Sequence, residues 1–384
     1  MKRKLIVCGH LLICIVLLQG CWNSKDLQTM AYITAIGMDY VDGQYVIYAQ
    51  TLNFTNVARG DSAQVGKNVP TWIGKGEGET VTDAFNDIYA TAQLKLFWGH
   101  VKALVVSEAF LKDHDRATEA YDMLNRYREI RYNILVYGTN EPMREILSQK
   151  SNLNLSPLET ILDNPAQMNQ QYSFLLSKSG YKFFANLQEL SGSTFLPSII
   201  LDQGSWSEDT KPRTMFRLNG GYFFSDKKYR GWLSEKELKG YRWLEKSLDR
   251  TLVNVPDTDT PDASLVLSKP RPRISIETRN GKVYYRIKIK INAYVDEMIN
   301  DVSKRDLEEK TAKVIEEQIR YTYKKGLTMG VDVFNLTREL YRSNPKKWRD
   351  DYVENELLLN KDSIEEIEVN VNILHSGKYK MRVR

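Results

Sequence analysis

Cysteine and histidine are scarce in this chain of 384 residues. All three cysteines lie near the amino end, and the four histidines are too far apart in sequence to match a helical zinc motif. If residues 1–20 are removed, one cysteine remains, which excludes an intramolecular disulfide and a cysteine-based metal site. The sequence therefore predicts neither a metal nor a cofactor. The cysteines are Cys8, Cys14 and Cys21, and the histidines are His10, His100, His114 and His375.

An apolar run long enough to cross a bilayer is also lacking. The stretch Leu5–Leu18 has roughly 14 residues, whereas a membrane-spanning helix needs roughly 20. After Cys21, no stretch approaches that length. Removal of a leader that contains Lys2, Arg3 and Lys4 takes three charges from the formal net charge of +5 and leaves about +2. This near-neutral balance argues against a nucleic-acid-binding protein.

The first residues have the pattern of a signal peptide. A cationic start precedes the short apolar run, which ends in Leu18-Gln19-Gly20-Cys21, and the chain becomes polar directly afterwards. Leu-x-Gly-Cys resembles the lipobox of bacterial lipoproteins, in which a diacylglyceryl group is attached to the cysteine thiol and cleavage leaves that cysteine first. An ordinary secretory signal, or an anchor helix with a chance cysteine, is the alternative. We predict that residues 1–20 are removed, that Cys21 carries a lipid anchor, and that the body lies outside the cytoplasm.

Strand-like and helix-like patterns follow one another along the remaining chain and predict an α+β fold. Asp42-Gly43, Asn219-Gly220 and Asn280-Gly281 separate strand-like runs and predict β-hairpins. Pro, Gly and Ser at 194–212, and an acidic, proline-flanked stretch at 256–261, predict boundaries. We expect an N-terminal α+β domain over 21–193, a middle hairpin and helix domain over 194–256, and a C-terminal α+β domain over 257–384.

Helical periodicity and caps predict several helices. Ser234 with Glu237, and Ser303 with Asp306, have the spacing of N-terminal caps, and Gly326 is the expected end of the second of these helices. In the C-terminal domain, apolar residues from 285 to 295 alternate with polar ones and predict a half-buried strand of a mainly antiparallel sheet. The predicted helices span 80–96, 116–130, 234–248, 303 to about 325, and about 333–342.

Two glycine-rich or acidic segments suggest ligand sites but have plainer interpretations. The segment 74–78, with sequence Gly-Lys-Gly-Glu-Gly, precedes a helix but lacks the terminal Lys-Ser/Thr of a phosphate loop, so a flexible turn or lid is favoured. The acidic segment 257–262 lacks the glycine and the final glutamate of a calcium loop, so a linker is favoured. Neither segment is a predicted binding site.

Histidine and lysine side chains provide the remaining candidates. His100 follows Trp98-Gly99 and precedes a strand, where a structural histidine is favoured over a ligand. His114 lies between two aspartates, where a polar turn is favoured. The cationic strand face with Lys288 and Lys290 is either solvated or close to anionic headgroups. Without a Gly-x-Ser-x-Gly elbow or a recognisable set of converging catalytic groups, we predict no enzyme and no catalytic residue.

Four stretches, in this order and spacing, resemble the Ger(x)C lipoproteins, the C subunits of spore germinant receptors. They lie near the lipobox, before and within the 101–106 strand, around 219–241, and at 325–348. Asn23 and Met329 are mild departures from the usual family pattern. The stretches are Gly20-Cys21-Trp22-Asn23-Ser24-Lys25-Asp26-Leu27 running into Ala35-Ile36-Gly37-Met38-Asp39, Phe97-Trp98-Gly99-His100-Val101-Lys102-Ala103-Leu104-Val105-Val106-Ser107-Glu108, Asn219-Gly220-Gly221-Tyr222-Phe223-Phe224 with Gly231-Trp232-Leu233-Ser234 and Gly240-Tyr241, and Lys325-Gly326-Leu327-Thr328-Met329-Gly330-Val331-Asp332 with Asn344-Pro345-Lys346-Lys347-Trp348.

The resemblance implies three domains, each a mainly antiparallel β-sheet flanked by α-helices. It also implies a location on the outer face of the spore's inner membrane and assembly with two polytopic germinant receptor subunits into a complex that responds to nutrients. Cys21 is the functional position that carries over. Whether this subunit binds the nutrient stays open. A solute-binding lipoprotein of a transporter and a cell-wall hydrolase are the alternatives.

Overall fold

The computed structural model describes residues 30–52, 70–113, 116, 119, 123, 126–127, 129–175, 177–189, 191–352 and 359–375. Within these residues two β-sheets have helices packed against them, which confirms the predicted α+β class. No helix in these ranges is both long and apolar enough to cross a membrane. The helices are α1 Val81–Thr91, α2 Glu108–Leu111, α3 Met143–Ser148, α4 Ala166–Gln171, α5 Gly180–Gln188, α6 Lys304–Thr328, α7 Leu336–Ser343 and α8 Pro345–Tyr352.

The first sheet contains ten strands of the described chain. They are β1 Met30–Val41, β2 Gln44–Leu52, β3 Trp72–Gly78, β4 Lys95–Phe97, β5 Ala103–Ser107, β6 Leu135–Thr139, β7 Lys178–Ser179, β8 Ser193–Glu208, β9 Lys211–Ser225 and β10 Lys228–Ser234. Their order is β10-β9-β8-β6-β5-β1-β2-β3, with β4 beside β1 and β7 beside β6. The central strands β1, β5, β6 and β8 pair in parallel, and the outer strands pair antiparallel. The sheet is therefore mixed. Every side chain of β5 is buried, as expected where helices cover both faces of a parallel strand.

The segment 74–78 is part of β3, so the prediction of a flexible turn or lid is wrong. Helix α1 packs directly on this strand, and a Cβ at Gly76 would lie 2.1 Å from the backbone oxygen of Ala84. Glycine is required here for a close approach of two backbones. Thr80, the first residue of the predicted helix, is the N-cap of α1, and its hydroxyl accepts a hydrogen bond from the Asp83 backbone N–H at 3.1 Å. The helix ends at Thr91, earlier than predicted, because the following residues form β4 beside β1.

Two predictions around β9 and β10 are also wrong. Asn219-Gly220 lies within the continuous strand β9, where a Cβ at Gly220 would lie 2.3 Å from the backbone oxygen of Leu233 on β10. Ser234 and Glu237 do form the expected reciprocal cap, but no helix follows over 234–248. Gly240 packs against α6 too closely for a Cβ, and the chain continues into a short 3₁₀ turn, Tyr241–Leu244.

The second sheet contains four described strands in the order β11-β12-β13-β14. They are β11 Thr251–Val255, β12 Ala263–Arg279, β13 Lys282–Met298 and β14 Ile364–His375. The predicted hairpin at Asn280-Gly281 is confirmed, with φ values of 52° and 76°, as is the one at Asp42-Gly43. Strand β14 pairs in parallel with β13 rather than antiparallel, because the long connection through α6, α7 and α8 brings the chain back to the starting edge.

Helix α6 covers one face of the second sheet. Ser303 caps it as predicted, since its hydroxyl accepts from the Asp306 backbone N–H at 3.2 Å. The predicted end at Gly326 is wrong, because the helix continues to Thr328 and Gly330, with φ +67°, follows its C-cap. Gly326 is buried instead, where a Cβ would lie 2.4 Å from Cγ2 of Val333. The adjoining helix α7 begins at Leu336, close to the predicted start.

The two sheets share one hydrophobic core. Phe195 and Phe223 of the first sheet, Trp243 of the connection, and Ile287 and Ile315 of the second sheet and α6 belong to the same buried cluster. The predicted boundary at 194 falls inside the first sheet, since β8 to β10 extend the sheet that the preceding strands build. The predicted boundary at 257 falls between the paired strands β11 and β12. The division of the chain into three domains stays a prediction.

A buried cation lies where the two sheets meet. The Arg242 guanidinium donates to the Thr251 hydroxyl at 2.7 Å and to Oε1 of Gln318 at 3.1 Å, and it lies over the ring of Trp243. Trp243 donates its indole N–H to the same Gln318 oxygen at 3.0 Å. Burial lowers the pKa of Arg242 to about 10, so the side chain stays charged at neutral pH. The carboxylate of Asp257 lies at the edge of this network and accepts from Gln318.

Candidate functional site

The central strands β1, β5 and β6 all begin at one edge of the first sheet. Ala35 of β1 is level with Ala103 of β5, which is level with Leu135 of β6. β1 starts five residues earlier, at Met30, and pairs there with Lys95 of β4. Helix α5 begins at the same edge, since the Gly180 N–H donates to the Ile134 oxygen at 2.7 Å. We call this surface, formed by residues 30–32, 92–102, 129–134 and 180–182, the amino edge.

A cleft of about 480 Å³ opens beside the amino edge around Trp98. Its indole N–H donates to the Tyr89 hydroxyl at 2.9 Å, and its backbone N–H donates to Oε2 of Glu129 at 3.3 Å. The Tyr89 and Tyr127 hydroxyls are 3.1 Å apart, and the Trp98 and Phe85 rings meet edge to face at 4.8 Å. The sequence analysis includes Trp98 in a family motif. Its hydrogen-bond partners lie 9 to 31 positions away, so the periodicity of the sequence does not predict these contacts.

The cleft is close to neutral at physiological pH. Burial, and then the hydrogen bond with Tyr127, raise the pKa of Tyr89 well above its ordinary value, so the hydroxyl stays protonated. Glu129 and Lys95 supply the charges of the lining. A cleft with aromatic and aliphatic walls and few charged groups is suited to an apolar or amphipathic group.

His100 lies on the amino edge between two aromatic rings. Its ring is 5.2 Å from Tyr32 and 5.7 Å from Phe97, both edge to face. Burial, and then the nearby cations Arg131 and Lys102, hold the pKa of His100 below its ordinary value. The imidazole is therefore mainly neutral at pH 7, an environment that fits the structural histidine favoured by the sequence.

Exposed aromatic, apolar and cationic side chains lie on the same amino edge as His100. Tyr132 is 77% exposed, and its ring meets that of Tyr181 edge to face at 5.8 Å. Leu94 is about half exposed. None of these three residues was singled out from the sequence, because the edge assembles segments that are far apart in the chain. The exposed cations are Lys95, Lys102, Arg131 and Lys182.

A second cationic surface is the outer face of the second sheet. Arg271 is directly opposite Lys290, and Arg273 is directly opposite Lys288, all four being exposed. Lys288 forms an ion pair with Glu368 at 2.6 Å. In the described part of the chain, the other three have no ion-pair partner within 4.0 Å. The alternation predicted from the sequence is confirmed, since Tyr285, Ile287, Ile289 and Ile291 on the other face are buried.

The remaining candidates that the structure describes do not form a binding site. Asp257 forms an ion pair with Lys239, and Asp262 with Lys310, so two of the three carboxylates of the predicted linker have ion-pair partners. Over the described ranges, no three His, Cys, Asp or Glu side chains are grouped where they could hold a metal ion. Cys21 and His114 lie outside the described residues. The side chain of His375 is not among those described.

Comparison with known proteins shows relatives along most of the chain. Residues 23–201 match the family model "Spore germination protein N-terminal domain", and residues 219–377 match "Spore germination B3/ GerAC like, C-terminal". Spore germination protein KC of Bacillus subtilis (strain 168) is 26% identical over 372 residues, which cover 91% of this chain and 90% of that protein. The crystal structure of the GerBC protein has a similar fold, with a TM-score of 0.53 and 14% identity, over 91% of this chain and 100% of that one.

Proposed function

This chain belongs to the GerAC family of spore germination proteins, and on that premise we propose that it is a lipid-anchored subunit of a germinant receptor in the membrane. Membership of the family supports a role in spore germination. We propose further that the protein is not an enzyme, that it faces outward from the spore's inner membrane, and that it assembles there with two polytopic subunits. Its task in nutrient-triggered germination would then be that of a docking subunit.

The observation that carries this proposal is the position of the lipobox. The family match begins at residue 23, and Leu18-Gln19-Gly20-Cys21 lies directly before it. A diacylglyceryl group on Cys21 would supply two acyl chains, which give stable membrane attachment where one chain gives only marginal binding. Because a tether confines the protein to the bilayer surface, it also raises the effective concentration of a weak docking surface toward membrane partners.

The fold supports a tether at this end of the chain. β1 begins at Met30 in the middle of the first sheet, with its amino end at the sheet edge. Pulling on such a strand is resisted by its neighbours on both sides, since β1 pairs with β2 and β5. An anchor attached before β1 would therefore hold the folded body through an internal strand of its larger sheet.

Replacement of the acylated cysteine tests the proposal. In spores of the native host, Cys21→Ala should move the protein out of the membrane fraction, abolish its co-purification with polytopic subunits, and reduce nutrient-triggered germination at least tenfold. Cys14→Ala is the matched control, because it removes a thiol from the predicted leader and should change none of the three readouts. Retention of Cys21→Ala protein in the membrane fraction at the wild-type level would contradict the anchor.

A further inference from the structure

We propose that the amino edge of the first sheet rests on the membrane and binds anionic phospholipid headgroups. The inference depends on the proposed anchor at Cys21 and adds the orientation of the folded body and the surface that meets the lipid. The supporting features are the length of chain between the anchor and the sheet, the side chains exposed on this edge, and their charge.

The length of the connection limits how far the amino edge can be from the lipid. Cys21 is nine positions before Met30, the first residue of β1. A fully extended chain spans at most about 3.5 Å per residue, so this edge lies within about 30 Å of the anchored sulfur. The other end of β1, Val41, lies roughly 35–40 Å further along the strand at about 3.3 Å per residue. The tether therefore favours orientations in which the amino edge is nearest to the membrane.

The side chains on this edge are of the types that occupy a membrane–water interface. Tyr132, Tyr181 and Leu94 are exposed and have no part in the core. Tyrosine places an apolar ring at headgroup level while its hydroxyl stays hydrated. The exposed rings of Tyr132 and Tyr181 contact each other, and exposed aromatic side chains that adjoin in this way point to an apolar or amphipathic partner.

The charge on the amino edge selects the class of lipid. Lys95, Lys102, Arg131 and Lys182 are exposed there, and Lys182 lies 5.9 Å from the Tyr181 ring. The carboxylate of Glu129 is engaged by the Trp98 backbone N–H, and that of Asp163 lies near Lys102 and His100. Cations next to interfacial aromatic rings are attracted by anionic headgroups, and this attraction falls off within a Debye length.

Site-specific fluorescence quenching tests this orientation. Cys21 is the single cysteine after the predicted leader, so a second cysteine introduced at an exposed position can be labelled selectively in the acylated protein. Lipidated Tyr132→Cys and Val41→Cys proteins would carry the same fluorophore in vesicles that contain phosphatidylglycerol and a lipid spin-labelled at the headgroup. We expect quenching at position 132 to exceed that at position 41 at least threefold. Equal quenching, or stronger quenching at 41, would overturn the proposal.

Charge reversal separates the amino edge from the other cationic surface. In the Tyr132→Cys background, Lys102→Glu with Arg131→Glu should reduce quenching at least twofold in phosphatidylglycerol vesicles and leave it unchanged in phosphatidylcholine vesicles. Arg271→Glu with Arg273→Glu, which makes the same charge change on the second sheet, should have no effect. A larger loss from the second pair would show that the outer face of the second sheet binds the lipid instead.

Vesicle flotation distinguishes failure of this inference from failure of the proposed anchor. Protein that floats with vesicles but shows no preferential quenching at position 132 keeps its anchor and loses this orientation. Protein that does not float at all in acylated form overturns the anchor, and the orientation with it. Urea unfolding of each labelled variant checks that the body is folded. We expect both variants to fold, because the side chains of Tyr132 and Val41 are exposed.

Discussion

The two sheets of this protein are buried in different ways. The centre of the first sheet is covered on both faces, and every side chain of β5 is buried. The second sheet is covered by α6 on one face and leaves the other face to solvent, so buried and exposed residues alternate along β13. The central strands of the first sheet can therefore contact a partner mainly at their ends, whereas the strands of the second sheet can contact a partner along one whole face.

This difference in burial suggests different partners for the amino edge of the first sheet and for the outer face of the second sheet. The amino edge of the first sheet combines exposed tyrosines with cations, while the centre of the outer face of the second sheet presents cations in directly opposed like-charged pairs. Aromatic side chains beside cations suit the interface of a bilayer, whereas cations such as Lys288, which already pairs with Glu368, suit a hydrated acidic partner. The distinction follows from burial, because the covered central strands of the first sheet can expose side chains only where they begin and end.

Removal of the Trp243 side chain, which lies where the two sheets meet, should show whether the two sheets unfold as one cooperative unit. Trp243 is fully buried and belongs to the core cluster that includes residues of both sheets. Trp243→Ala should lower the free energy of unfolding by about 3–5 kcal/mol, and it also removes the hydrogen bond to Gln318. Urea unfolding followed by circular dichroism measures the change. A loss below about 1 kcal/mol would mean that the sheets are stabilised independently of this junction.

A single methyl group should be enough to disturb the covered first sheet. In Gly76→Ala the new Cβ would lie 2.1 Å from the Ala84 oxygen, so α1 must move away from β3. We expect a destabilisation of about 1–3 kcal/mol, typical of overpacking. Gly204→Ala is the matched control, because this glycine lies in the exposed part of β8 and a Cβ there would lie 3.9 Å from Oδ1 of Asp202, an ordinary contact distance. Equal unfolding midpoints of the two variants would contradict a tight contact between α1 and β3.

Four errors of the sequence analysis share one physical cause. Asp42-Gly43 and Asn280-Gly281 were correctly predicted as turns, because the glycines there adopt positive φ. The glycines at 76, 220 and 326 were interpreted as turns or a helix end, and Gly240 was placed inside a predicted helix, but each lets another part of the chain approach without a Cβ in between. A single sequence does not distinguish these two uses of glycine, since the second depends on a partner that is distant along the chain. The alternating strand β13 and the cap at Ser303 needed no such knowledge and were correct.

The candidate site was predictable only in part, for a related reason. The motif around Trp98 and His100 was visible in the sequence, and the structure places both residues at or beside the amino edge. Arg131, Tyr132 and Tyr181 on the same edge come from the starts of β6 and α5, which only the parallel strand order brings together. Periodicity identifies which face of a strand is buried, but it does not identify which strand ends are adjacent.

On the open face of the second sheet, substitutions should change the free energy of unfolding through their charge and not through their side-chain volume. Arg271 is directly opposite Lys290, and like charges in that position destabilise a β-sheet. Arg271→Glu should therefore raise the free energy of unfolding by about 0.2–1 kcal/mol, with Arg271→Gln intermediate because it removes the repulsion without adding attraction. Glu368→Gln should act in the opposite direction, because it breaks the ion pair with Lys288. Urea midpoints at low salt and at about 1 M NaCl measure both effects, which should shrink at high salt because the Debye length falls to about 3 Å. If Arg271→Glu raises the free energy of unfolding equally at high salt, the cause is packing and not charge. The contrast between a covered first sheet and a second sheet whose open face is governed by electrostatics would then be wrong.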